Sequence, residues 1–279
     1  MEIKMRNKKE VVVYQNEFVD KFVLDYKQKE LDLFFGIIFQ MQKDSKIIEF
    51  KKEDIKKLIK TSNITTDDFT NLIKSLSRQS IRYKTTEQII DEDTGKILAN
   101  PGAFITINFF DMLIEEGEKV TIKIKKEFQR YFFEIQKDLG FSKHELQDLL
   151  KLSSRYEKLL FILLNRWKTF NRVFSTDFEE FKTKLNIPSS YKNNDIKRMI
   201  EKAKISIEKH TKIKFEFEFV KKGRKVEKIN FYISNTLREM LIKAKDENTK
   251  EIERRVLLAG LRANDIDIEN IDNIDIDEF

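Results

Sequence analysis

Residues able to carry covalent or metal chemistry are scarce in this chain. Cysteine is absent, and the two histidines, His144 and His210, stand far apart. A thiolate site, an imidazole metal cluster or a serine–histidine triad therefore lacks its material. The paired histidines of a rolling-circle nuclease are missing too, and Gly95-Lys96 has neither the earlier glycine nor the hydroxyl of a phosphate-binding loop. The expectation is a protein that is not an enzyme and uses no cofactor or metal; an unrecognised pair of carboxylates is the remaining catalytic alternative. What the chain does supply is cations in groups. Lys192, Asn193, Asn194, Lys197, Arg198 and Lys202 form one cluster, and Lys221, Lys222, Arg224 and Lys225 surround Gly223 in another. Cations packed this closely repel one another unless an anion neutralises them. Lysine and arginine anchor phosphates, while asparagine and arginine reach the edges of adenine and guanine. The chemistry indicated is non-covalent recognition of double-stranded DNA. The plain alternative is a solvated helix face and a soluble loop tip, which lysine-rich chains produce without any function.

Charge over the whole chain points the same way. The net charge is +6, yet Ala263 to Phe279 contains seven acids and no base, so the remainder is more basic than the total suggests. A basic body calls for a polyanionic partner, and the acidic segment is expected to be solvated and disordered. The codon bias of an AT-rich genome, which favours lysine, accounts for part of this charge. No apolar run approaches the roughly 18 residues that a membrane span requires, so the chain is expected to be cytoplasmic with no membrane contact.

The elements that must position these cations follow from periodicity. In the first half an apolar helix (Leu31, Phe34, Phe35, Ile38, Met41) precedes a strand over 46–50, a helix over 53–60, and a turn at 61–63. A capping box at Thr65 to Asp68 opens the next helix. Its apolar stripe of Phe69, Leu72, Ile73 and Leu76 leaves Asn71, Lys74, Ser75 and Arg78 facing outward as candidate DNA contacts. Asp67 and Asp68 would face phosphates unless occupied in capping, so fewer base contacts are expected here. Strands over 80–85, 96–99 and 105–109 then supply a hairpin. A helical stretch over 128–139 and a second capping box at Ser142 to Glu145 lead to the boundary between halves.

The second half repeats the scheme. A helix over 155–167, a strand over 172–175, a helix opened by a capping box at Thr176 to Glu179, and a turn at 186–190 precede a helix over 194–210 with the stripe Ile196, Met199, Ile200, Ala203 and Ile207. A hairpin follows, in which Phe215, Phe217 and Phe219 alternate with polar residues and Ile229, Phe231 and Ile233 alternate on the return. The cationic group 221–225 is its tip. Helix, strand, helix, turn, helix, hairpin is the winged-helix order, so the fold predicted is α+β, two tandem winged-helix domains of helix-turn-helix plus β-hairpin wing. Residues 1–140 form the first domain, 141–243 the second, and 244–279 an acidic tail. The cluster at 192–202 sits at the start of a candidate recognition helix, where free N–H groups also favour phosphate.

Three segments carry a family resemblance. Leu152-Ser-Ser-Arg-Tyr-Glu-Lys-Leu-Leu-Phe161 resembles the apolar helix opening the second domain of the iteron-binding plasmid replication initiators. Leu185-Asn-Ile-Pro-Ser-Ser-Tyr191 resembles the turn before their recognition helix, and Gly223-Arg-Lys-Val-Glu-Lys-Ile-Asn-Phe231 their wing. The resemblance spans Val11 to Asn235. It implies binding to direct repeats at a plasmid origin, distortion or opening of adjacent AT-rich DNA, and recruitment of host helicase or initiator proteins. It also implies that the first domain forms a homodimer that represses its own gene. By position, Lys192, Asn193, Asn194, Lys197 and Arg198 would read the repeat, and residues 221–225 would hold its backbone. A transcriptional regulator with no role in replication is the competing expectation, since fold does not fix function.

Overall fold

A helix that is apolar almost all the way round has to be buried on every side. Leu31, Leu33, Phe34, Phe35, Ile37 and Ile38 make the helix over Gln28–Asp44 such an element, since all six are fully buried. It is the axis of the first of two units, Met1–Arg155 and Tyr156–Phe279. The structure, a computed structural model, describes residues 10–44, 47–61, 63–167 and 173–234 together with a few isolated positions beyond.

In chain order the first unit holds β1 (Val11–Gln15), α1 (Asn16–Lys21), β2 (Phe22–Leu24), α2 (Gln28–Asp44), β3 (Ile47–Lys51), α3 (Lys52–Leu58), α4 (Thr66–Arg78) and β4 (Ser80–Lys84). It continues with β5 (Ile89–Ile90), β6 (Ile97–Ala99), β7 (Phe104–Asn108), β8 (Phe110–Glu116), β9 (Lys119–Ile124), α5 (Lys126–Gln129), β10 (Phe141–Glu145) and α6 (Leu146–Leu150). Helix α7 (Arg155–Asn165) opens the second unit, followed by β11 (Val173–Asp177), α8 (Phe178–Lys184), α9 (Asn193–His210), β12 (Lys214–Lys222) and β13 (Lys225–Ser234). One frame occurs twice: α2, β3, α3, α4 and the β8–β9 hairpin in the first unit, α7, β11, α8, α9 and the β12–β13 hairpin in the second. In both the hairpin's return strand lies in the middle of an antiparallel sheet, in the orders β3-β9-β8 and β11-β13-β12. Two tandem winged helices are thus present, as the periodicity predicts.

The turn between α3 and α4 is built like that between α8 and α9. Lys60 and Asn186, each two residues past its helix, have φ of 55° and 48°. The next N–H reaches back to the helix, Thr61 to the Lys56 carbonyl and Ile187 to the Lys182 carbonyl, both at 2.8 Å. This is the left-handed C-terminal cap that lets the chain turn sharply into the next helix. Gly36 has a different reason to be glycine. A Cβ there would lie 2.5 Å from Cγ2 of Ile59, so the absence of a side chain lets α2 approach the end of α3 closely.

Several sequence expectations are corrected. The hairpin of the first half is β8–β9, and not the strands near 80–85, 96–99 and 105–109. Those strands exist as β4, β6 and β7, but belong to the sheet β2-β4-β7 and the two-stranded ribbon β5-β6 inserted ahead of the wing. The helix expected over 128–139 ends at Gln129; local turns carry the chain to Phe133, and backbone groups beyond the helix are taken by the side-chain amides of residues far along the chain. Gln42 Nε2 donates to the Phe132 carbonyl at 2.9 Å, and Gln15 both donates to the Gln136 carbonyl at 2.9 Å and accepts the Gln136 N–H at 3.0 Å. Ser142 to Glu145 is no capping box but strand β10, paired antiparallel with β1, and Ser142 Oγ donates to Asn16 Oδ1 at 2.7 Å. This pairing lies within the compact unit Met1–Arg155. The cap of α8 is Asp177, whose carboxylate accepts the N–H groups of Glu179 and Glu180 at 2.9 and 3.1 Å; Thr176 is part of β11. Lys46, Ser62 and Arg172, expected in strands and a turn, lie outside the described residues, as does most of the acidic tail. Within that tail Glu269 is exposed but Ile271 is buried at 5% exposure, which differs from a fully solvated segment.

Candidate nucleic-acid interface

Helix α9 presents the first cation cluster. Ile196, Ile200, Ala203 and Ile207 are buried along one stripe, so the residues between them are turned outward. Lys192, Asn193, Asn194, Lys197, Arg198 and Lys202 are all exposed. Asp195, which alone would oppose an anion at this end, has its carboxylate occupied by the Lys192 N–H at 3.0 Å. Lys197 forms a loose pair with Glu201 at 3.7 Å, a surface contact readily exchanged for a better anion. Beyond Thr211 the chain enters β12 directly, and α9 is tied to that strand by Lys204. Partial burial of Lys204 opposes its charge, but the hydrogen bonds and charges of Glu216 and Glu208, at 2.5 and 3.5 Å, outweigh this and hold its pKa above the usual lysine value.

The second cluster caps the β12–β13 hairpin. Lys222 pairs with Lys225 across a tip of Gly223 and Arg224, with Gly223 at φ 62°, a conformation a side chain would strain. Lys221, Lys222, Arg224 and Lys225 are all exposed, and none forms an ion pair among the described residues. A register shift between Val220 and Lys221 sets the tip off from the regular ladder. At its base Tyr232, half-buried and hydrogen-bonded to Glu218, is pushed up to about 12, first by burial and then by that bond.

The first unit places its candidates differently. Asn71 and Arg78 are exposed on α4, but Lys74 is held by Glu115 at 3.8 Å. Ser75 is half-buried and donates to Glu30 at 2.5 Å, so it faces α2 and not outward as the sequence suggested. Thr65 caps α4, accepting the Asp68 N–H at 3.1 Å while its hydroxyl donates to the Asp68 carboxylate at 2.8 Å. The tip of the β8–β9 wing reads Glu115, Glu116, Gly117, Glu118, Lys119, with Glu116 and Glu118 exposed. Glu115 is drawn back onto buried Lys52 at 3.4 Å. The two wings share a backbone design, each with a glycine at positive φ, and carry opposite charge.

Sequence reasoning missed a feature common to both units. Glu30, only 1% exposed, accepts from Ser75 Oγ and also from the Lys27 N–H at 2.7 Å. Glu157 accepts from Ser206 Oγ at 2.7 Å. Each glutamate is the third residue of the first helix of its frame, and each serine lies on the candidate recognition helix. A buried carboxylate with such partners is costly to break, so it fixes how α4 and α9 lie on their units. The available signal was the likeness of Glu30-Leu-Asp-Leu-Phe-Phe35 to Glu157-Lys-Leu-Leu-Phe-Ile162.

Residues 11–165 match the family model described as initiator replication protein, WH1, and residues 177–233 match initiator Rep protein, WH2. The chain belongs to the initiator Rep protein family. No curated protein matches it. Among solved structures this family member is similar to the Pi initiator protein in complex with iteron DNA, at 18% identity and a TM-score of 0.55, over 81% of this chain and 97% of that one. Two structures of domains 2 and 3 of RctB are also similar, at 10% and 11% identity with TM-scores of 0.45 and 0.41. They cover 81% and 82% of this chain, and 92% and 84% of theirs. At these identities the likeness concerns the fold. The matched WH2 region contains both cation clusters, and the matched WH1 region contains the acidic wing.

Proposed function

We propose that this initiator Rep protein starts plasmid replication by binding direct repeats in the duplex DNA of an origin, and that its second domain reads them. The observation that carries this reading is the continuity of α9 and the β12–β13 wing. Lys192 and Arg198, exposed and without an ion-pair partner among the described residues, lie in the opening turns of the helix, and four exposed cations, likewise without one among the described residues, stand on the hairpin that follows it. Such a helix start suits the major groove, with arginine and asparagine reaching guanine and adenine, and such a tip suits the neighbouring phosphates. The fold shared with an initiator crystallised on iteron DNA supports the choice of repeats as the target. In this reading the protein catalyses no covalent step. It distorts or opens adjacent DNA by binding energy, brings host replication proteins to it, and represses its own gene when a homodimer covers the promoter.

The test is a titration of the purified protein, at several salt concentrations, against duplex carrying the direct repeats of its own plasmid and against a shuffled duplex. Tighter binding to the repeats by about a thousandfold, with footprints on tandem repeats, is expected. A footprint on a single inverted repeat would favour a regulator without replication function, because a two-fold dimer mirrors a palindrome. Equal affinity for both duplexes would overturn sequence recognition.

A further inference from the structure

The wing of the second unit carries Lys221, Lys222, Arg224 and Lys225, exposed and without ion-pair partners among the described residues. The same chain holds seven acids and no base between Ala263 and Phe279. We propose that the cationic wing, which follows α9 in the chain, is an interaction surface for this acidic segment, which competes there with DNA. The contact does not depend on the DNA-binding reading above; only the competition does.

Three observations favour this occupant over another. The first is complementarity, since the segment holds seven acids and no base and the wing groups four exposed cations around one glycine. The acidic wing of the first unit is a weaker rival, because Glu115 is already committed to Lys52 and Lys74 and Lys119 adds a positive charge to its tip. The second is reach. The roughly 30 residues between Ser234 and Asp265 could span up to ~100 Å extended and ~45 Å if wound as helix, enough in either case to return to the hairpin. Tethering of this kind supplies an effective concentration on the order of millimolar, at which even a weak ionic contact is populated. The third is burial of Ile271 at 5% exposure within the acidic run. Isoleucine alternates with acid in the sequence there, so the segment carries apolar anchors beside its acids.

The consequence is selectivity. A shuffled duplex offers mainly phosphates, for which tethered carboxylates substitute, whereas a specific site adds base contacts they cannot imitate. The segment therefore weakens non-specific binding more than specific binding. It also makes the salt dependence shallower, because the wing's counterions are already displaced before DNA arrives.

Two measurements on the full chain test this. A zero-length carbodiimide couples carboxylates to amines only in contact, and mass spectrometry then locates the linked peptides. Links between the acidic segment and Lys221, Lys222 or Lys225 are expected in the free protein and should vanish near 1 M salt, where the Debye length is about 3 Å. Because Ile271 is buried, the segment is neutralised and not removed: a variant with its seven acids exchanged for the matching amides is titrated against a shuffled duplex. About tenfold tighter binding and a steeper salt slope than the parent are expected at low salt, with the two proteins converging at high salt. Absence of wing links overturns the contact. Wing links with unchanged DNA affinity overturn the competition. Wing links in a protein that binds no duplex, neutralised or not, overturn the DNA-binding reading and leave the contact standing.

Discussion

Arg198 shows what a single side chain on this surface is expected to do. It is exposed on α9, one residue beyond Lys197 and near the end of the helix that carries free N–H groups. In the proposed reading the Arg198 guanidinium pairs with guanine, so Arg198→Ala should weaken the specific duplex by about 1–3 kcal/mol and a shuffled one much less. Parallel titrations of the two duplexes measure this, and equal losses would assign Arg198 to phosphate. Lys184 gives a different residue-scale effect. Burial, opposed by Glu180 and reinforced by Arg166, lowers its pKa from 10.5 to about 8. Between pH 8 and 10.5 the unfolded chain keeps a proton that the folded one has lost, so stability gains with pH across that window and carries the full cost of the buried charge below it. Lys184→Met should raise the thermal midpoint at pH 7, by on the order of 1 kcal/mol in stability, and abolish the gain between pH 8 and 10.5 in melting curves.

At the scale of elements, the two helix-turn-helix segments share one backbone solution with different residues. Asparagine tolerates the left-handed conformation at 186, whereas the lysine at 60 carries a steric penalty for it. Lys60→Gly should stabilise the first unit by about 0.5–1 kcal/mol, read as a shift in denaturant midpoint without a change in slope. In the proposed reading the β12–β13 hairpin meets DNA through its tip. Changing Lys221 and Lys222 together to alanine should reduce the slope of log affinity against log salt by about 2, near 0.9 for each phosphate that is no longer neutralised. An unchanged slope would take the wing off the DNA backbone. The hairpin was the most legible element of the sequence because its faces alternate strictly. Strand β9 alternates as cleanly, with Val120, Ile122 and Ile124 buried, yet β8 before it does not, so the inserted strands upstream give the clearer strand signal in the first half.

For the molecule as a whole, the duplicated frame carries unequal chemistry. One wing presents four cations without an ion-pair partner among the described residues, and the other an acidic tip partly neutralised by Lys52 and Lys74. Nucleic-acid affinity is therefore expected to lie mainly in the second unit. Glu116→Gln combined with Glu118→Gln should alter affinity for the specific duplex by less than about twofold, whereas a large gain would mean that this wing lies against phosphate and is repelled by it. Sequence by itself determined the winged-helix order, the apolar stripes of α4 and α9, and the exposed cations at 192–202 and 221–225. These are local properties, set by a period of 3.6 or 2 residues and by charges too costly to bury. Only the tertiary structure decided that 141–145 is a strand, that the helix after Lys126 stops at Gln129, that Ser75 serves Glu30, and that the first wing is acidic. Each of these depends on a partner far along the chain, Val11–Gln15, Gln15 and Gln42, α2, or β3. A hydrogen bond or strand pairing over such a separation overrides local preference, and leaves no periodicity by which it could be read in advance.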